Sequence, residues 1–535
     1  MTKDMIGKLR LFLSAGILVI LSGLNPAHAT DWLQYIASYG DLIRAFGANS
    51  TAGEQHYLMY GRAEGRQLDS FDENQYLANY PDLQAAFGND GEAATIHFIS
   101  YGYAEGRTAA PLNRNVLLII ADDMGVDVSG FYPASAGRLA TNPPPPPTPT
   151  LQALANRGVI FSAAWAYMEC SPTRATIFTG RYGFRTGIGQ WINASRPSLS
   201  ESEFELPEAI TAASPQHWDI TYVGKWHLSH LSEGLRAPNR HGWPHYIGPV
   251  EGGALGNYFN YAKNIDGVKH ASHVYATTDQ VNDALGAIRM ARSAQHPFFV
   301  TLAFNTPHQP YHLPPPTLHD YDFLPPYAKG RAPRPYYEAM IQAMDTEIGR
   351  LLNEVDLNTT TVIFIGDNGT PAAVLASPYR GGKSSIHETG IRVPLLIAGA
   401  GVANPGRVVN GLASSVDLYP TVLALLGINS TSVLPPGIQI DGVSLMPYLG
   451  AGPPASVHEF VYSEKFEQGF TEHFQRAIRN LTFKLVVYAG GRKRFFNLIA
   501  DPLEQMDLMT RHLSPVESAS LAQLSQQLNT LIASR

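Results

Sequence analysis

Four short apolar runs in this chain pass directly into clusters of polar residues: Asp122-Asp123, Gly224-Lys225-Trp226-His227, Asn305-Thr306-Pro307-His308-Gln309-Pro310 and Asp367-Asn368-Gly369. Asp122, Asp123, Asp367 and Asn368 supply hard oxygen ligands, the kind that hold calcium or magnesium and not a soft metal. Lys225, His227, His308 and, further along, Lys383 add cationic or protonatable groups, so a site built from them would favour an anionic substrate. Any one cluster also reads as a plain turn, and Asp367-Asn368-Gly369 carries the Asn-Gly signal of a tight hairpin. The hairpin fails because residues 370–378 lack the alternation of a return strand. Position joins the clusters: in open α/β sheets ligands bind beyond the carboxyl ends of the strands, where all four would lie.

The single cysteine, Cys170, lies in the segment Tyr167-Met168-Glu169-Cys170-Ser171-Pro172-Thr173-Arg174. Pro172 suits the first turn of a helix and Ser171 its cap, which would set Cys170 against a helix N-terminus, where backbone amides favour negative charge. A thiolate nucleophile could use such a place, but cysteine phosphatases separate cysteine from arginine by more than the three residues found here. The alternative for a lone cysteine is an inert buried side chain. One cysteine can form neither an internal disulfide nor the thiolate cage of a zinc or iron-sulfur centre.

These residues need a scaffold. Strands are expected at 116–121, 220–223, 298–304, 362–365 and 394–398, alternating with helical patterns such as 150–157 and 417–426, the latter closed by Gly427. The fold class is therefore α/β, a large mixed, mostly parallel sheet flanked by helices. Alternating segments at 460–462, 474–479, 483–488 and 494–498, then a polar helix from Pro515, predict a small C-terminal antiparallel subdomain. Ahead of the sheet, Tyr35, Tyr39, Asp41, Phe46, Gly47, His56, Tyr60, Gly61 and Arg66 recur 41 residues later as Tyr76, Tyr80, Asp82, Phe87, Gly88, His97, Tyr101, Gly102 and Arg107. This is an N-terminal helical repeat pair, read as a spacer or packing module or, alternatively, as a surface- or glycan-binding one.

The 535 residues exceed what one core supports, and 44% hydrophobic content excludes general disorder. A net charge of −7 has the wrong sign for gripping nucleic acid. Lys3, Lys8 and Arg10, an apolar stretch over 11–24 and Ala27-His28-Ala29 form a Sec-type signal peptide, predicting a secreted or periplasmic protein with no membrane span after signal removal. The expected divisions are 1–29 signal, 30–110 repeats, 111–453 catalytic domain and 454–535 C-terminal subdomain.

Cys170-Ser171-Pro172-Thr173-Arg174, with Thr179-Gly180-Arg181 after it, resembles the signature of type I sulfatases, arylsulfatase-like members of the alkaline phosphatase-like superfamily. Gly224-Lys225-Trp226-His227-Leu228, Pro307-His308-Gln309-Pro310, Asp367-Asn368-Gly369 and Gly382-Lys383 with Ile391-Arg392-Val393-Pro394 extend the likeness in family order, over roughly 115–508. The resemblance implies that a formylglycine-generating maturation enzyme converts Cys170 to 3-oxoalanine, hydrated to a diol that attacks sulfur. It implies Ca²⁺, or Mg²⁺, held by Asp122, Asp123, Asp367, Asn368 and residue 170. Arg174 and Lys225 would polarise the diol, His308 and Lys383 would grip the sulfate and help protonate the leaving oxygen, and His227 would take the proton that lets sulfate depart. The implied substrate is a sulfated small molecule or glycan. One departure is Glu388-Thr389-Gly390, where the family commonly carries a second glycine, so the geometry near Lys383 is expected to differ. Open alternatives are a phosphonate monoester hydrolase or phosphodiesterase on the same fold, and a non-catalytic exported glycan-binding protein. In 229–260, Trp243, Tyr246, Tyr258 and Phe259 read equally as core or as sugar platforms.

Overall fold

The computed structural model describes residues 31–534 apart from 81, 82, 84, 85, 106, 110–114, 214–217, 251, 252, 451–455 and 468–469; the expected signal peptide lies outside them. The chain divides into two compact units, 1–109 and 110–535.

In the first unit the duplication appears as repeated structure. The helices Trp32–Ala37, Ser50–His56 and the π-turn Tyr57–Gly61 recur at the same 41-residue spacing as Glu73–Asn79, Gly91–His97 and Phe98–Gly102. The buried Tyr35 hydroxyl meets His56 Nδ1 at 3.0 Å, and Tyr76 meets His97 at 2.9 Å. Glycine is required where these tyrosines land: a Cβ on Gly61 or Gly102 would lie 2.1 or 2.0 Å from the hydroxyl.

The second unit is built on ten strands: β1 Asn115–Ala121, β2 Gly158–Trp165, β3 Asp219–Gly224, β4 His245–Pro249, β5 Tyr261–Ile265, β6 Val268–Ser272, β7 Phe298–Ala303, β8 Thr360–Gly366, β9 Leu395–Gly399 and β10 Arg407–Ser414. Their order is β10-β2-β9-β8-β1-β7-β3-β4-β5-β6. Pairings are parallel except where β9 and β5 run against their neighbours. Successive side chains of β1 alternate between two cores, Val116, Leu118 and Ile120 on one face and Leu117, Ile119 and Ala121 on the other. Burial on both faces is why the central strands read as unbroken apolar runs. Helices Ala276–Ala294 and Arg334–Leu352 cover one face; Cys170–Thr179, Leu206–Ala213 and Leu418–Leu425 cover the other. Each fully buried Leu, Ile or Phe contributes about 1.5–3 kcal/mol of transfer free energy.

A second sheet, β11 Val461–Glu467, β12 Phe470–Arg479, β13 Phe483–Tyr488 and β14 Lys493–Asn497, is antiparallel throughout. One face packs Ala477 and Val486 onto Trp165 and Met168; the other receives Leu524 and Leu528 of helix Pro515–Ala533.

Candidate active site

Strand register brings the polar clusters to one level. Ala121 of β1 lies opposite Gly366 of β8, and Gly224 of β3 opposite Ala303 of β7, so Asp122, Asp367 and Lys225 leave the sheet together. The exits are tight. A Cβ on Gly224 (φ 101°) would stand 2.0 Å from the Ala303 carbonyl oxygen, while Asp123 (φ 68°) and His227 (φ 58°) hold the left-handed conformation that L-residues avoid. Such strain persists only where its surroundings fix it, and it gathers at functional sites.

Ligand atoms of Asp122, Asp123, Cys170 and Asp367, all buried, lie within 4.8 Å of one another. Lys225 Nζ donates to Asp122 Oδ2 at 2.6 Å, and Arg174 Nη2 to Asp367 Oδ2 at 2.9 Å. Lys383 Nζ is 2.5 Å from Asp123 Oδ1 and 3.5 Å from Cys170 Sγ. Asn368 Nδ2 donates to Asp123 Oδ1 at 2.8 Å, and His308 Nε2 stands 3.7 Å from Asp123 Oδ2. Asp122 Oδ1 and Asn368 Oδ1 are buried with no hydrogen-bond donor. Two orphaned oxygens on the same rim as two further carboxylates suit a hard divalent cation.

The helix bearing the cysteine begins at Cys170 itself, with Glu169 as the preceding cap residue, so the expectation that Ser171 caps it is corrected. The side-chain oxygens explain the difference. Thr173 Oγ1 accepts the Tyr167 amide at 2.9 Å, folding the chain back one residue earlier, and Ser171 Oγ accepts the amide of Ile192 at 3.0 Å. Pro172 remains within the first turn, where its missing N–H costs nothing. Arg174 is fully buried one turn on, its Nη1 donating to the Lys225 carbonyl at 2.7 Å.

Burial pushes the Cys170 thiol up to about 12, against the pull of Lys225 and Lys383, so the unmodified residue is a neutral thiol and a poor nucleophile. Burial also raises Asp367 to about 7, helped by the neighbouring Asp122 charge and opposed by Arg174. Asp122 moves the other way, because Lys225, with His308, Arg174 and Lys383, outweighs its burial. Lys225 and Lys383 are raised despite burial, chiefly by Asp122 and Asp123 respectively. Burial, with Lys225 and Arg174, holds His227 well below its usual range. His227 Nε2 lies 3.1 Å from the Ile192 carbonyl, which can only accept, so Nε2 carries the proton and the buried, unpartnered Nδ1 keeps its lone pair.

All ten sequence-predicted site residues therefore meet at one end of the sheet. Several side chains that hold them escape sequence reading. The Tyr337 hydroxyl donates to the Asp123 carbonyl at 2.6 Å and that of Tyr222 to the Lys225 carbonyl at 2.5 Å. Glu169 takes the Trp191 amide at 2.9 Å and Lys465 at 3.2 Å. Apart from Tyr222, three residues before Lys225, these braces join residues 22 or more apart in sequence, so no local signal marks them. Thr389, the departure near Lys383, donates to the Arg380 carbonyl and accepts the Gly382 amide at 3.1 Å, tying down the turn that carries Lys383. Of the aromatics in 229–260, Trp243, Tyr246 and Tyr258 are buried, and the Tyr258 hydroxyl donates to the carbonyls of Asn305 and His308; Phe259 is exposed.

The family model described as Sulfatase matches residues 114–428, more than half of the chain. The chain belongs to the sulfatase family. It is a type I sulfatase with the alkaline phosphatase-like fold, and a sulfuric ester hydrolase. Among its relatives is the N-acetylgalactosamine-6-sulfatase of Canis lupus familiaris, 30% identical over 387 residues, covering 64% of this chain and 67% of that one. Another is arylsulfatase A of Bos taurus, 29% identical over 391 residues, covering 66% and 71%. In fold this sulfatase is similar to a sulfatase from Pseudoalteromonas sp. (TM-score 0.64, 22% identity, covering 86% and 93%). It is likewise similar to a structure solved with its substrate D-glucosamine-2-N,6-O-disulfate (TM-score 0.60, 19% identity, covering 78% and 97%).

Proposed function

We propose that this sulfatase is exported through its N-terminal signal and hydrolyses aryl or carbohydrate sulfate esters with residue 170 oxidised to 3-oxoalanine. The observation that carries the reading is the position of Cys170 Sγ among three carboxylates, two of them salt-bridged to Lys225 and Arg174, with Lys383 Nζ 3.5 Å away. The buried neutral thiol supports it, since catalysis then needs a different functional group at this position. As an aldehyde hydrate, residue 170 would supply an oxygen nucleophile and a second hydroxyl whose deprotonation re-forms the carbonyl and frees sulfate. Asp122, Asp123, Asp367 and Asn368 would hold a calcium or magnesium ion, which stabilises negative charge on the transferring group.

The chain's own residues divide the remaining work. Arg174 and Lys225 surround position 170 with positive charge that is already oriented by Asp367 and Asp122, so little reorganisation is needed as charge develops. Lys383 stays protonated and faces position 170, which makes it the ready proton donor to the leaving oxygen. His308 donates from Nδ1 to the Gln309 carbonyl at 2.7 Å and turns Nε2 toward Asp123; in its imidazolium form Nε2 would donate to the sulfate. His227 is neutral with its free lone pair on Nδ1, the form a general base requires.

Peptide mass of the purified native protein tests the modification: residue 170 should be lighter than cysteine by roughly 18 Da. The same preparation should release sulfate from 4-nitrophenyl sulfate faster than it cleaves the corresponding aryl phosphonate and phosphodiester. A fully alkylatable thiol in active protein, or a dominant phosphonate rate, would overturn the reading.

A further inference from the structure

The C-terminal sheet reaches the segment that carries Cys170 along one row of side chains. Lys465, Gln475 and Tyr488 are direct cross-strand neighbours on β11, β12 and β13. They share the face on which Ala477 and Val486 pack against Trp165 and Met168, and they stand one side-chain step further along it. Buried packing thus gives way to a polar row, and Lys465 Nζ reaches Glu169, the residue immediately before Cys170.

This row forms part of a cleft of about 480 Å³, whose lining also includes Gln190, Glu467 and Phe474. That volume is in the range of small-molecule sites. Gln190 ties the cleft to the chemistry by a second path, since Ile192, two residues on, accepts His227 at its carbonyl and donates its amide to Ser171 Oγ. The charged residues of the lining already have partners: Lys465 has Glu169, and Glu467 accepts Gln190 at 2.9 Å and Arg196 at 3.2 Å. What the cleft presents to a ligand is therefore amide groups, hydrogen-bonded charges and aromatic rings. Arg492 covers one face of Tyr488, with its guanidinium carbon 4.3 Å from the ring centre. Hydroxyl groups of a sugar satisfy such a lining, whereas a steroid or plain aryl group would leave its polar atoms unpaired.

We propose that this cleft is a saccharide subsite, so that the substrate is a sulfated oligosaccharide whose alcohol portion places a sugar ring against Gln190, Gln475 and Tyr488. The inference rests on the sulfatase reading above but makes a separate claim. The test compares Gln475→Ala and Tyr488→Ala with the native enzyme on two probes, 4-nitrophenyl sulfate and a 6-O-sulfated disaccharide of two neutral hexoses. Each variant should lose at least about 10-fold in kcat/KM on the disaccharide, through KM, and stay within about 2-fold on the aryl ester. Equal losses on both probes, or none on the disaccharide, would overturn the subsite. If the native protein released sulfate from neither probe, the catalytic reading would fail instead. Titration of Cys170→Ala protein with the same disaccharide then decides the cleft: binding weakened about 10-fold by Gln475→Ala upholds it, and no binding removes it.

Discussion

Two of the buried charge clusters in the second unit are built on opposite plans. At the junction with the C-terminal sheet, Lys484 Nζ lies 3.3 Å from Glu388, 2.9 Å from Glu504 and 2.9 Å from the Ile386 carbonyl. Arg479 meets Glu388 at 3.2 Å, His387 meets Glu504 at 3.2 Å, and Trp165 Nε1 donates to Glu388 at 3.0 Å. Positive and negative groups alternate there, and carboxylate and cation sit close together. At the active site three carboxylates crowd one another around Cys170, and Asp122 Oδ1 and Asn368 Oδ1 are buried without a hydrogen bond. Glu504 Oε1, the oxygen in the junction that lacks one, instead faces Lys484 Nζ at 2.9 Å. Positive φ occurs in both clusters, at Asp123 and His227 in one and at Glu504 in the other. A cluster whose carboxylates each face a cation serves the fold; one that crowds carboxylates and leaves oxygens open has reserved those interactions for something that binds.

The sharpest way to separate the two is Cys170→Ala. Turnover of sulfate esters should fall at least about 10⁴-fold while the thermal midpoint stays within about 2 °C, because the change removes one small buried group and no charge. Residual turnover near native would end the assignment of residue 170. Lys484→Met should do the reverse. It removes the cation that Glu388 and Glu504 share in the interior, leaving them only Arg479 and His387, and should cost about 3–5 kcal/mol in urea denaturation. Stability within about 1 kcal/mol of native would mean that the junction is no different in kind from a surface pair.

Calcium probes the open cluster directly. At about 100 times its Kd it should stabilise the native protein by about 2.7 kcal/mol, and the Asp122→Ala protein by less than half of that. Equal stabilisation of both would take Asp122 out of the ligand set. A last test concerns acid. Lys484 and His387 overcome burial and hold Glu504 near 2, below its usual 4.5. A depressed carboxylate contributes stability above its unfolded value and loses it as pH falls through the folded one. Glu504→Gln should therefore flatten the stability curve between about pH 4.5 and 2, and an unchanged slope there would show that other groups carry the acid sensitivity.

Legibility in the sequence depends on range. Asp122, Lys225 and Asp367 are readable because each ends a run buried on both faces, and register then aligns the ends. Strands β2, β4, β5, β6 and β10 are not among the strands expected from the sequence. Gly158–Trp165 and Arg407–Ser414 mix Gly, Ser, Ala and Asn with their apolar residues, and β6 exposes most of its side chains. The run at 394–398 is legible, but its antiparallel setting against β8 and β2 is not, since an apolar period carries no direction. Ser171 reads as a cap because Pro172 fits any position of a first turn; the deciding bond, from the Tyr167 amide to Thr173, depends on a bend that the sequence does not announce. The junction charges, Glu388, Lys484 and Glu504, come from distant segments, and only folding sets them together.

Burial of the helix Cys170–Thr179 also imposes an order of events. All ten of its residues are buried, with Ser171 fastened to Ile192 and Glu169 to Lys465. A modifying enzyme needs the pentapeptide in the open, and exposing it in the finished protein would cost nearly as much as unfolding the unit. If residue 170 is to be oxidised, the time for it is between synthesis and folding. On the proposed reading a chain that folds first would keep its thiol, the share of active molecules in a preparation would be a race between two rates, and slowing the fold would raise it.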